Sequence, residues 1–400
     1  MSEKLENLVS FVKDKKSWHE FLNKNFPSNR VDEYKYLDLS FLSDFDLRPI
    51  EGDQNIDQLD IDENTLKRLV FDEKEFYNFV FINGKFIENL SNLPKTLKIN
   101  KLQNRSSENE KIALKNLNLA FREKILEFNF TKSIERPIAF IHINTSLDKK
   151  VNKKSIYTNY RISLFKDVKI SMIDKFVNHE KNDFFNNNII DIFLDENAYL
   201  DHNILQESED NFQFNHYKVD LETNAIYRGF LLNQKSKISR FNFEINLNKI
   251  DSDAQIKGIY LGEKDQILDH YIKTNHNFKK TYSSHYLKGI LKDESKGIFY
   301  ASTIVKKGVK KIIGNQLNKN ILLDKNASCF SRPELWIKAD DVKCSHGSTT
   351  GQLDLDAIFY LQARGFSFTA AKEILLKAFI DEIFEMIVDE NIKKIIKKMI

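Results

Sequence analysis

The chain has 400 residues, of which 41% are hydrophobic and 12% aromatic, including 32 phenylalanines, so it can bury a sizeable core. Its 61 basic and 58 acidic side chains leave a net charge of +3 with no long basic block, which excludes the broad positive footprint of a nucleic-acid binder. Two cysteines cannot build a disulfide framework, and no stretch reaches the run of about eighteen apolar residues that spans a bilayer.

The first residues, Met-Ser-Glu-Lys-Leu-Glu-Asn-Leu, lack the basic and apolar regions of a signal peptide, so a reducing, cytoplasmic setting is expected. From Lys4 to Phe26 the residues Leu5, Leu8, Phe11, Val12, Trp18, Phe21 and Leu22 recur at three- and four-residue intervals, predicting one amphipathic helix or two short ones ended by Pro27. Residues 55–95 mix short helical and extended patterns. Ser107 to Leu126 reads as a longer helix, and an α-rich N-terminal domain is expected over 1–133.

From Ile134 the period changes to two, in runs such as Ile138–Ile143, Ile189–Leu194, Phe241–Leu247 and Ile256–Leu261. These runs recur roughly every ten residues, but the segments between them contain few of the Asn-Gly or Asp-Gly pairs that tight hairpins favour. Only 12 glycines and 5 prolines occur in the chain. Short strands without helix-length spacers or hairpin signals favour the coils of a parallel β-helix over 134–350, with a β-sandwich as the competing fold. Tyr199-Leu-Asp-His-Asn-Ile204 and Ile267-Leu-Asp-His-Tyr-Ile272 look like two copies of one repeat.

A C-terminal helical domain is predicted over 351–400. Asp354 or Asp356 can cap a helix running through Arg364, with Gly365 as its left-handed stop. A second helix begins near Thr369, where Ile374, Leu375, Ala378, Phe379, Ile383, Phe384 and Ile387 form an apolar arc wider than one neighbour needs. Packing against the end of the β-helix and docking of another protein are both open explanations for that arc.

The residues most suited to chemistry lie in Ala339-Asp-Asp-Val-Lys-Cys-Ser-His-Gly-Ser348. On a strand Cys344 and His346 share one face, with Cα atoms about 7 Å apart, so a thiolate and an imidazole can address one metal or one cluster. The competing reading follows from the same alternation. If Val342 points inward, Cys344 is a small buried hydrophobe. Asp340 and Asp341 disfavour its thiolate whereas Lys343 favours it. A Cys329–Cys344 bridge is conceivable, but Cys329 reads as packing. His202, His216, His270, His276 and His285 read as ordinary surface or core histidines unless the coils gather two of them. No Walker loop, dinucleotide fingerprint, H-E-x-x-H or G-x-S-x-G occurs, so no catalytic residue is assigned and ATP hydrolysis is not expected of this chain.

The block A-D-D-V-K-C-S-H-G-S-T-T-G-Q-L-D followed by A-I-F-Y-L-Q-A-R-G closely resembles the C-terminal signature of the SufB/SufD family of iron-sulfur cluster assembly subunits, on its SufD side. Ser331–Ile337, Lys288–Phe299 and Phe26–Tyr36 resemble that family at corresponding places, although Tyr34 and Leu37 stand where members usually have tryptophan and threonine. The resemblance implies a mainly β fold, a right-handed parallel β-helix flanked by helical regions. It implies a role for His346, and less firmly for Cys344, beside a transient iron-sulfur cluster shared with a SufB-like subunit. It also implies docking of a SufC-like ABC-type ATPase on the C-terminal helices, where Leu353, Ile358, Phe359, Leu361, Ile374, Leu375, Ala378 and Phe379 are the candidate contacts. The thiolate and carboxylate of SufB fall here on Leu317 and Gly347, so this chain lacks the full ligand set. Homodimerisation of the isolated chain stays open. Two other classes compete: a carbohydrate-active β-helix enzyme, which would need a carboxylate- or calcium-rich groove, and a self-contained metal module, for which two ligands are too few.

Overall fold

A computed structural model describes residues 7–23, 34–50, 63–103, 112–122, 124–145, 153–179 and 183–400. The chain is mainly β, 49% strand and 20% helix, and winds into a parallel β-solenoid of about seven turns. From Lys124–Phe130 onward successive strands go alternately to two ten-stranded sheets, the first ending on Ser328–Ile337 and the second on Val342–Gly351. Between Ile238, Ile267 and Lys296 the register advances one turn at a time, about 29 residues each.

Corner chemistry explains why so few glycines suffice. Asp167, Asn197, Asn224 and Asp251 adopt positive φ between 55° and 62°, the left-handed region that short Asx side chains tolerate. Each donates its backbone N–H to a carbonyl of the next corner, as Asn197 does to Thr223 at 2.9 Å. Their side chains form a ladder as well: Asn224 Nδ2 donates to Asn197 Oδ1, and Asn197 Nδ2 to Asp167 Oδ1. The pair Asn83-Gly84 makes a tight antiparallel hairpin between Tyr77–Ile82 and Lys85–Phe86.

Several expectations need correction. Strands Tyr77–Ile82, Leu97–Gln103 and Lys124–Phe130 already belong to the two sheets, so the sheets begin before residue 134. Among the described residues the helix expected over Ser107–Leu126 is Ala113–Ala120, residues 107–111 lying outside them, and Ile125 and Leu126 lie in a strand, because Lys124–Phe130 alternates and pairs on both sides. Of the one helix or two short ones expected over Lys4–Phe26, the described residues form the second, a 3-10 turn, Val9–Phe11, followed by Lys15–Leu22 capped by Asp14, in keeping with that expectation. Most of the Phe26–Tyr36 motif lies outside the described residues. The two look-alike hexapeptides are not stacked: Tyr199–Gln206 is in the second sheet and Ile267–His276 in the first.

Three apolar clusters hold the molecule together. One fills the solenoid between the sheets, with Phe140, Tyr160, Leu200, Tyr217, Phe243 and Phe299 among its buried members. A second lies outside the second sheet, where Ile380, Ile383, Phe384, Ile387, Ile392 and Ile396 cover Ile141, Ile173, Phe230 and Ile259. A third lies outside the first sheet, where Trp18, Phe21, Leu114 and Leu117 cover Tyr157, Phe185 and Phe214. Asn118 Nδ2 donates to the Thr158 and Asn187 carbonyls there, tying the helix to the sheet. Both outer faces are thus covered over most turns, whereas the last strand of each sheet is half-buried or exposed.

Helix ends are specified locally. Asp354 caps Leu355–Gln362, Ser367 caps Phe368–Asp381, and Asp389 caps Glu390–Met399. Gly365, at φ +95°, closes the first with bonds from its own N–H to the Gln362 carbonyl and from Phe366 N–H to the Leu361 carbonyl, a Schellman arrangement. The helix runs two residues shorter than expected at Arg364. Among the described residues no helix is long and apolar enough to cross a membrane.

Candidate functional site

Val342–Gly351 is the last strand of its sheet and pairs in parallel with Ile312–Leu322 on one side only. The register sets Cys344 beside Gly314, His346 beside Gln316, and Thr350 beside Asn320. Paired residues of a parallel ladder share a face, and Gln316, Asn318 and Asn320 are buried in the lumen. Cys344 and His346 therefore belong to the inner face of the final turn. Among the described residues no further turn covers that face, and His346 is exposed and Cys344 half-buried.

Glycine at 314 makes room for the thiol, because a Cβ there would come within 3.3 Å of Cys344 Sγ. Burial pushes the Cys344 pKa up, partly opposed by the backbone of Gly314, so the free thiol is protonated at neutral pH. The expected contest between Asp340, Asp341 and Lys343 is not what sets it. Both aspartates lie in the bend before the strand, and Lys343 is exposed on the opposite face. That outer face carries Ser345, whose Oγ donates to Asn315 Oδ1 at 2.8 Å. Leu317 and Gly347, the positions lacking a thiolate and a carboxylate, are direct register partners, and a Cβ on Gly347 would lie 3.3 Å from Leu317 Cδ1. A groove of about 290 Å³ at this edge is lined by Tyr286, Leu317, Ser345, His346 and Gly347 among others.

Cys329 is also on the inner side of the last turn. Its Sγ is 3.8 Å from Tyr260 Oη, and burial raises its pKa to about 11. Thr350 lies beside it, six residues beyond Cys344 along a strand rising about 3.3 Å per residue, so the cysteines sit about 20 Å apart and stay free. Tyr260 reaches this far because Gly289 and Gly297 leave its ring a path: a Cβ at either would come within 2.8 Å of it. Its hydroxyl bonds to Asn320 and accepts from Asn318 Nδ2. Glycines inside the strand-like block Lys288–Phe299 were the sequence signal for this close approach.

The scattered histidines are structural. His202 is hydrogen-bonded to Asp174 at 3.0 Å and to Tyr227 Oη at 2.9 Å, while Tyr160, Tyr217 and His142 also converge on Asp174. This hydrogen-bonded centre is wholly inside the solenoid, and sequence alone carried no sign of it. His270 bonds to Asn233 and the Ile298 carbonyl, His276 to Thr281 and Ser283, and His285 to Thr274. His216 sits outside the first sheet against Asn242. Among the described residues no group of three or more His, Cys, Asp or Glu side chains is placed to hold a metal ion.

The C-terminal contacts divide. Ile358 is buried at 3% exposure, whereas Phe359 is 71% exposed. Ile374 and Ala378 are exposed, whereas Leu353, Leu361, Leu375 and Phe379 are half-buried. The patch is extended by Leu355, Tyr360, Phe366 and Phe368, all exposed and absent from the expected set. The end of the Phe368–Asp381 helix is fastened by Lys288, whose Nζ donates to the Phe379 carbonyl and to Glu382 Oε2 at 2.7 Å, joined by Tyr286 Oη on the same carboxylate.

A parallel solenoid whose final turn offers one imidazole and one thiol, with no complete ligand set, belongs to a recognisable class. Residues 147–379 match the SUF system FeS cluster assembly, SufBD core domain, and the chain belongs to the SufB/SufD family. The SufD protein of Escherichia coli is 28% identical over 263 residues, 65% of this chain and 61% of that protein. An iron-sulfur cluster assembly SufBD family protein of Synechocystis is 31% identical over 207 residues, 51% of this chain and 45% of that one. The chloroplastic protein ABCI7 of Arabidopsis thaliana is 24% identical over 395 residues, 93% of this chain and 81% of that one. The match to the first two thus spans roughly half to three-fifths of their length.

Proposed function

We propose that this chain is a non-catalytic scaffold subunit that pairs with a SufB-like subunit and a SufC-like ATPase and offers His346 to a nascent iron-sulfur cluster at the subunit boundary. The observation that supports this reading best is the exposure of His346 on the uncovered inner face of the last turn. Among the described residues no strand pairs with the free edge of Val342–Gly351, which leaves backbone donors and acceptors for a strand from another chain. An imidazole from this chain and harder or softer ligands from the partner then complete a shell that neither has alone. Cys344 is a secondary ligand, since its thiol must lose a proton that burial helps it keep. The exposed apolar face of Leu355, Phe359, Tyr360 and Phe368 is the docking surface for the ATPase. Affinity purification of the tagged chain from native extract tests the assembly. SufB-like and SufC-like companions are expected, and recovery of the chain without either would refute it.

A further inference from the structure

His346 stands at the free end of a row that the register sets side by side on the inner face of the second sheet: His285 pairs with Gln316, and Gln316 with His346. Gln316 is only 2% exposed, and its carboxamide is held by its nitrogen. Nε2 donates to Thr303 Oγ1 at 2.7 Å and to the Glu334 carbonyl at 3.1 Å. A carbonyl only accepts, so these bonds fix which end of the amide is nitrogen, and they use both of its hydrogens. Oε1 is consequently turned elsewhere. It is buried, and among the described residues it accepts no hydrogen bond. A buried amide oxygen without a donor is costly enough to need a reason.

The neighbours narrow the choice. On the covered side, His285 commits Nε2 to Thr274 Oγ1 at 2.8 Å, and its Nδ1 is itself unpartnered and does not meet Oε1. On the open side, at the same register, is His346. We infer that Gln316 is the positioning residue for His346: the two side chains are not hydrogen-bonded in this structure, and a rotamer change of the exposed ring brings its N–H to Oε1, fixes one tautomer, and leaves the other ring nitrogen's lone pair facing the subunit boundary. Ligating histidines generally give their second N–H to such an acceptor, which sets tautomer and ring orientation together. The orientation is a property of this chain alone, while its use in cluster assembly rests on the function proposed above.

Histidine-selective 15N spectra of the intact chain test this, with the His346 ring signals assigned by their loss in His346→Ala. A single tautomer is expected in the parent chain. Gln316→Met removes the acceptor at similar length and is expected to give averaged two-tautomer shifts. Because Gln316 also anchors two neighbours, Thr303→Val provides a second variant, which frees the carboxamide to turn and should move the His346 signals part of the way. In the assembled complex, Gln316→Met should lower cluster yield about tenfold. Averaged shifts in the parent chain, or His346 signals unchanged in both variants, overturn the positioning role. Changed ring signals together with full cluster yield from His346→Ala would leave the positioning role standing and remove the ligand role instead.

Discussion

His202, His285 and His346 occupy one register row of the second sheet, running His202, Gly229, Ile256, His285, Gln316, His346, yet they have different fates. The first is wholly buried against a carboxylate, and the second is buried as a neutral ring against Thr274. The third has strand on one side and, among the described residues, no following turn. Backbone setting and face are shared, so the local motif does not decide whether an imidazole is structural or available. Distance from the open end does. A solenoid converts position along its axis into exposure, and the last turn is where a ligand can be offered without dismantling the core.

The comparison is broken most severely at its covered end. Replacing His202 by Leu leaves Asp174, fully buried, short of one of its closest hydrogen-bond partners, and should cost about 3 kcal/mol in denaturant unfolding. His346→Ala should cost less than about 0.5 kcal/mol in the same measurement, since exposed side chains away from special features rarely matter more. Equal losses would erase the distinction between the two ends.

Acid separates the regions further. Burial lowers the pKa of His270, His276 and His285 to about 4, 3 and 4. Their folded forms bind fewer protons than the unfolded chain, so stability is full above the unfolded value of about 6.5 and falls as pH drops toward 4. The two histidines on Asp174 hold its carboxyl far below the usual range against burial, so that centre keeps its charge through the same window. Unfolding midpoints at pH 7.5 and 5 should therefore fall, and His285→Gln should flatten the fall.

Smaller effects are expected on the outer face of the second sheet and on the helices that cover it. Asp201, beneath the helix capped by Asp389, has its pKa raised to about 7, by burial first and with Asp389 adding to it. A raised carboxylate supplies stability below its unfolded value that is lost as pH rises through 7. Asp201→Asn should accordingly stabilise the chain by about 1 kcal/mol at pH 8 and much less at pH 5. Phe359→Glu, on the exposed helix face, should leave stability within about 0.5 kcal/mol while abolishing co-purification of the ATPase.

Much of the architecture was legible. The period-two runs and the scarcity of Asn-Gly pairs pointed to parallel coils, and Asp354 and Gly365 marked a helix at both ends. The start of the solenoid was not legible, because Lys124–Phe130 follows a helix whose every residue is buried, which blurs the change of period. Corners with Lys264, Lys280 and Lys311 at positive φ carry no sequence sign, since the stacked neighbours rather than the residue impose that conformation. At the site, Cys344 and His346 were visible as an alternating pair. Gln316 was not, because its importance arises only when a strand thirty residues away is laid beside it.

The most direct measurement is the iron and acid-labile sulfide content of the assembled complex carrying His346→Ala. The account predicts an intact complex with the parent's subunit ratio and a cluster content lowered about tenfold. Parental iron and sulfide in that variant would contradict it.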